Sequence, residues 1–188
     1  VEAHALETSK DLSLSNVNIE ATGISGYGLV VNSGTLDFES SSISAISSGS
    51  TGLSVKNGTA NLISGSIKAD AYGVMNSDTV VLGEKDGVVT KQQPSIASNN
   101  YGIVSSNSIK FYDGIITGSK ENAFDAIVSD SEENYDLYIT PNSENTSKVD
   151  VTLEIPTKEK FGEIAEVDGV TYPSVKSAFD SITSDENK

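Results

Sequence analysis

Two carboxylates, Asp37 and Glu39, flank Phe38 in a run that alternates polar and apolar side chains. In an extended strand, residues two apart share a face and stand about 6.6 Å apart. That separation suits a pair of acids with a water between them, the arrangement of an inverting glycosidase. The same pair also reads as ordinary charge on a solvated strand. Its neighbours in the repeat described below, Ser13 and Ser15 on one side and Asn61 and Ile63 on the other, add neither a third carboxylate nor a cation. Three tyrosines, Tyr27, Tyr72 and Tyr101, each precede a glycine. In an exposed row they would stack on sugar rings; turned inward or set at a corner they would form an aromatic ladder. Lys85 and Asp86 occupy the longest interruption of the pattern and are the remaining candidates for ligand contact.

Composition removes many alternatives. There are 12 basic and 27 acidic residues, for a net charge of −15, and every basic residue is Lys. Cys is absent, so thiol and Cys-zinc chemistry is impossible. His4 is the single histidine, which excludes a His-rich metal centre and leaves little for a Ser–His triad. The acidic cluster of Asp130, Glu132, Glu133 and Asp136 matches neither an EF-hand loop nor the Gly-rich calcium nonapeptide. No metal and no cofactor is expected. The charge repels phosphate, and the Arg that reads it best is missing, so no nucleic-acid partner is expected. No apolar run approaches 18 residues, so no membrane insertion is expected.

Those candidates must be held by something, and the chain repeats. The phrase Tyr27-Gly28-Leu29 recurs as Thr51-Gly52-Leu53, Tyr72-Gly73-Val74 and Tyr101-Gly102-Ile103, with a worn copy at Asp125-Ala126-Ile127. Aligned on it, apolar residues form columns: Leu12, Leu36, Ala60, Val80, Ile109; then Leu14, Phe38, Leu62, Leu82, Phe111; then Ile19, Ile43, Ile67, Ile96, Ile116. A fourth column holds Leu29, Leu53, Val74, Ile103 and Ile127, and a small-residue column holds Ala21, Ala45, Ala69, Ser98 and Gly118. The first two columns are two residues apart, which is strand alternation. Each repeat is therefore a coil of two or three short strands, and stacking at about 4.8 Å per coil places like on like. Such registered columns predict an all-β, right-handed parallel β-helix of about five coils. The fold explains why Gly, Ser, Thr and Asn make up 74 of 188 residues: turns and outward faces take them, while the core stays narrow.

The fourth repeat is longest, with its extra residues around Gly83 to Pro94; Lys85-Asp86-Gly87-Val88 is a turn signal within it. An insertion of this kind protrudes and often belongs to a binding face. Residues 1–10 read as an N-terminal cap or the remnant of a preceding coil, 11–140 as the β-helix, and 141–188 as an appendage or cap. In that last segment Glu163–Val167, the Asp168-Gly169 turn and Val170–Tyr172 form a predicted hairpin. Val175, Ala178, Phe179 and Ile182 follow helical spacing, with Ser174 as N-cap.

The stretch Phe111-Tyr112-Asp113-Gly114-Ile115-Ile116-Thr117-Gly118, with Leu82 to Val89 and Tyr101-Gly102-Ile103 before it, resembles β-helical regions of large surface proteins of Gram-positive, often gut-dwelling, bacteria. Residues Ile164 to Ile182 are similar to an element that introduces further β-helix in such proteins. The resemblance implies a pectate-lyase-like fold and an extracellular, cell-surface location. It also implies an adhesin-like module that meets polysaccharide or host surface protein, beside other domains of a larger chain. The fold also carries lyases, which commonly use an Arg base, and this chain has none. The expected function is non-catalytic adhesion or display. The alternatives are a polysaccharide-active enzyme using Asp37 and Glu39, and a plain spacer.

Overall fold

The computed structural model describes residues 3–90 and 93–156, and the backbone of 165–167 and 170–172. Strands occur in threes. The first coil is β1 (His4–Thr8), β2 (Leu12–Ser15) and β3 (Asn18–Glu20); the second is β4 (Tyr27–Val31), β5 (Thr35–Glu39) and β6 (Ser41–Ala45). The third is β7 (Thr51–Val55), β8 (Thr59–Leu62) and β9 (Gly65–Ala69). The fourth is β10 (Tyr72–Asn76), β11 (Thr79–Leu82) and β12 (Ser95–Ser98); the fifth is β13 (Tyr101–Ser105), β14 (Ile109–Phe111) and β15 (Ile115–Ser119). A sixth coil supplies only β16 (Phe124–Asp125) and β17 (Val128–Ser131). They are followed by β18 (Asp136–Pro141) and β19 (Lys148–Glu154).

Equivalent strands stack into three sheets. Sheet A runs β1-β4-β7-β10-β13-β16, sheet B runs β2-β5-β8-β11-β14-β17, and sheet C runs β3-β6-β9-β12-β15. Successive coils pair in parallel throughout. Sheet C then continues through β19, which pairs antiparallel to β15 from Ile115–Thr152 to Ser119–Lys148, and through β18 beyond it. This is an all-β parallel solenoid of about five coils.

The register places the apolar columns as the spacing predicts. Leu12 pairs with Leu36 and Leu36 with Ala60; Leu14 pairs with Phe38 and Phe38 with Leu62. Ile43, Ile67, Ile96 and Ile116 line sheet C in unbroken register. Phe38 and Phe111 are among the largest fully buried side chains. One member of a column differs. Ile103 pairs with Phe124, whereas Ile127 is 75% exposed. The worn copy of the repeated phrase is therefore Asn122-Ala123-Phe124, 21 residues after Tyr101-Gly102-Ile103.

The glycine of that phrase is required by space. A Cβ on Gly52 would lie 2.4 Å from Cγ2 of Ile67 and 2.7 Å from the carbonyl oxygen of Gly73. Gly28 meets Ile43 and Gly52 in the same way, Gly73 meets Ile96 and Gly102, and Gly102 meets Ile116 and Ala123. Each coil thus presses a sheet A backbone against the sheet C isoleucine of the same coil. Ala123 replaces the glycine where sheet A ends and no further carbonyl follows.

The solenoid comprises residues 1–133 and 137–153; residues 134–136 and 154–188 form a second compact unit. Within that unit, β20 (Ala165–Val167) and β21 (Val170–Tyr172) pair antiparallel, and the expected Asp168-Gly169 turn lies outside the described residues. The predicted helix over 175–182 lies outside the described residues.

Candidate functional site

Asp37 and Glu39 sit on β5 and alternate with buried Leu36 and Phe38, so both carboxylates face outward from sheet B. The outward row through Asp37 runs Ser13, Asp37, Asn61, Val81, Lys110. Asp37 accepts a hydrogen bond from the Asn61 amide at 2.8 Å, while Glu39 is exposed. Among the described residues, no group of three or more His, Asp or Glu side chains is placed to hold a metal ion.

The insertion after β11 is fastened to this face. Lys85 Nζ donates to both carboxylate oxygens of Asp130, at 3.2 and 3.4 Å, and stands 5.5 Å from the Tyr112 ring centre. The Tyr112 hydroxyl donates to Asp130 at 2.7 Å. Tyr112 is 7% exposed. Burial first, then the bond to Asp130 and the charges of Asp130 and Glu132, push its phenol up to about 12. The Asp130 carboxyl is held below its ordinary value, chiefly by the Tyr112 hydroxyl and next by Lys85. The far end of the insertion is held by Asp113, whose carboxylate accepts from the Thr90 backbone N–H at 3.0 Å and from the Thr90 hydroxyl. Asp86 closes a local turn by accepting from the Val88 N–H at 2.7 Å.

Fastened in this way, the insertion raises a wall along sheet B. Between the wall and the strands lies a groove of about 370 Å³. Its floor is Ile63 and Val81, one end is Asn61, and its wall is Gly83, Glu84, Lys85 and Tyr112. The structure therefore brings Lys85 beside the face that carries Asp37 and Glu39. Asp86 does not line this groove.

The tyrosines lie elsewhere, on sheet A. Tyr72 and Tyr101 pair in register and stack with ring centres 5.0 Å apart and planes at 16°. Tyr27 is separated from Tyr72 by Thr51 and meets instead the His4 ring at 5.3 Å. All three tyrosines are half-buried. His4 thus takes the tyrosine position in the first coil. The signal for it was available: His4-Ala5-Leu6 has the same aromatic–small–leucine order as Tyr27-Gly28-Leu29.

Sequence reasoning missed Tyr112, Asp113 and Asp130 as partners of the insertion. The motif containing the first two was visible, but nothing in a linear chain says that it serves a loop some 20–30 residues earlier. No family model, curated protein or solved structure matches the chain.

Proposed function

We propose that the chain is a non-catalytic extracellular module for adhesion or display within a larger bacterial surface protein, meeting a glycan or a host or matrix surface. In this reading the solenoid is a right-handed, pectate-lyase-like β-helix, and the C-terminal segment adds a hairpin and a helix. The observation that carries it is the groove on sheet B. It is open, lies on a stack of paired strands, and has a wall fixed by ion pair and hydrogen bonds. A site on paired strands with a fastened wall binds at a lower ordering cost than a loose loop. The resemblance of Phe111 to Gly118 to surface β-helices supports the same reading.

The test is binding of residues 1–188 to arrayed glycans and to immobilised host and matrix proteins. Saturable binding to either supports the module; silence on all of them favours the spacer. Incubation with neutral and acidic polysaccharides addresses the enzyme. New reducing ends or unsaturated products, abolished by Asp37→Asn, would replace the adhesion reading with catalysis at Asp37 and Glu39.

A further inference from the structure

We infer that the sheet B groove is a saccharide subsite selective for neutral or amino-bearing glycans over uronates. This rests on the adhesion reading and adds the place and the ligand chemistry. Three observations carry it. The first is the groove's surface. Ile63 and Val81 give an apolar floor about the width of a sugar face, and Asn61 and Glu84 provide polar atoms at its margins. Asn61 directs its amide nitrogen to Asp37, which leaves its carbonyl oxygen as an acceptor.

The second observation is charge. Along this face stand Asp37, Glu39, Glu84, Asp130 and Glu132 against Lys85 and Lys110. Lys85 is already engaged by both oxygens of Asp130. Glu132 follows Ser131, which pairs with Phe111, and so stands beside Tyr112. It is 6% exposed and does not line the groove, so it adds charge behind the groove and not a contact. The field over the groove is therefore negative and rich in acceptors. It favours ligands that bring donors, hydroxyl or ammonium, and opposes carboxylates. With Lys85 taken by Asp130, a uronate polymer would meet Lys110 as the remaining cation among five carboxylates.

The third observation is spacing. Equivalent outward positions recur about every 4.8 Å from coil to coil. One pyranose lengthens an extended β-linked chain by a similar step, so successive sugars meet equivalent rows. An extended peptide advances about 3.3 Å per residue and presents one face every two residues, which falls out of step with the coils. The spacing favours a glycan over a peptide.

The experiment titrates the whole 188-residue chain, isotope-labelled, with three oligosaccharides of equal length: a β-linked glucan, a β-linked glucosamine and a galacturonate. Shift changes for the first two should centre on Asn61, Ile63, Val81 and Lys85, with the galacturonate weakest. Val81→Glu should weaken binding by about tenfold or more, Asn61→Ala by less, and Ser44→Glu on sheet C should leave it unchanged. Mapping on the unaltered protein decides the question even if Val81→Glu fails to fold. Glycan binding that maps elsewhere and ignores both groove variants overturns this inference and leaves the adhesion reading intact. So does binding to a protein or peptide alone. Preference for the galacturonate overturns the charge argument. Silence toward every glycan and every immobilised protein removes both readings.

Discussion

Sheet B changes character along its length. From β2 to β8 it is a plain ladder: a single residue, Ser40, joins β5 to β6, and two residues join β8 to β9. Between β11 and β12 the same connection takes 12 residues. In the plain part each coil is held by backbone pairing to the next, and outward side chains such as Asp37 and Asn61 only meet their row neighbours. In the inserted part the backbone leaves the ladder, and side chains from later coils must hold it. Asp113 reaches back 23 residues to Thr90, and Asp130 reaches back 45 to Lys85. A pair of acids two residues apart thus does little, whereas acids remote from one another in sequence fasten the wall of the groove on this sheet face.

Two glycines sharpen that contrast. Gly52 in the ladder is excluded from bearing a side chain by Ile67 and by the Gly73 carbonyl. Gly52→Ala is expected to cost about 3 kcal/mol, the largest of these effects, because a packed backbone cannot yield. Urea unfolding measures it; in an Ile67→Ala background, where the Gly73 carbonyl clash remains, the loss from Gly52→Ala should shrink but persist, and no reduction would exclude the contact with Ile67 as a cause. Gly87 in the insertion has nothing within 4 Å of a built Cβ, but its φ is +79°. Gly87→Ala should cost about 1 kcal/mol through conformation alone. If the two losses were equal, ladder and insertion would not differ as argued.

Much of this was legible beforehand, for a physical reason. A stacked coil repeats its environment, so its core is a column of like residues, and Leu12 through Ile109 could be aligned without coordinates. The irregular parts were less legible. Phe124 was passed over for Ile127 because the final coil lacks the glycine that marks the others. The bonds from Tyr112 and Asp113 were hidden because an insertion has no register to align against. The outward face of Asp37 and Glu39 follows from alternation; that Lys85 would lean over the same sheet does not.

The next effect probes the fastening. Thr90→Val removes the hydroxyl that donates to Asp113 and keeps the shape, so it should cost about 1 kcal/mol. The readout is faster proteolysis within 83–94, with the ladder still resistant. Uniform sensitivity along the chain would mean that the insertion is not a separable element.

Titration separates the two regions by sign. The folded Tyr112 phenol is raised to about 12, so the folded state holds its proton more tightly than the unfolded chain does. Stability from this group is complete below about pH 10 and is lost as pH rises toward 12. Asp130 is lowered, so its contribution is present above about pH 4 and is lost as pH falls through the folded value. Asp70 lies outside the insertion, in the turn between β9 and β10. It accepts first from the Asn99 amide and then from the Gly49 N–H, which lowers its carboxyl in the same direction. Alkali should therefore release the insertion before the coils, whereas acid should loosen both. Tyr112→Phe should abolish the alkaline opening and leave the acid limb. Opening of the insertion near pH 11 in that variant would exclude Tyr112 as its cause.

The smallest effect is expected at the most conspicuous pair. Asp37 keeps its Asn61 bond through one oxygen, and Asp37→Asn retains an acceptor at that position. The side chain is on the outer face, and Glu39 beside it is exposed, so neither Asp37→Asn nor Glu39→Gln should change the unfolding free energy by more than about 0.5 kcal/mol. Both should raise uronate binding slightly, because each removes a negative charge from the acceptor-rich face. A large loss of stability at Asp37 would mean that the plain ladder depends on its outward side chains as the insertion does. The difference between the two parts of sheet B would then lie in the length of a connection and not in what holds it.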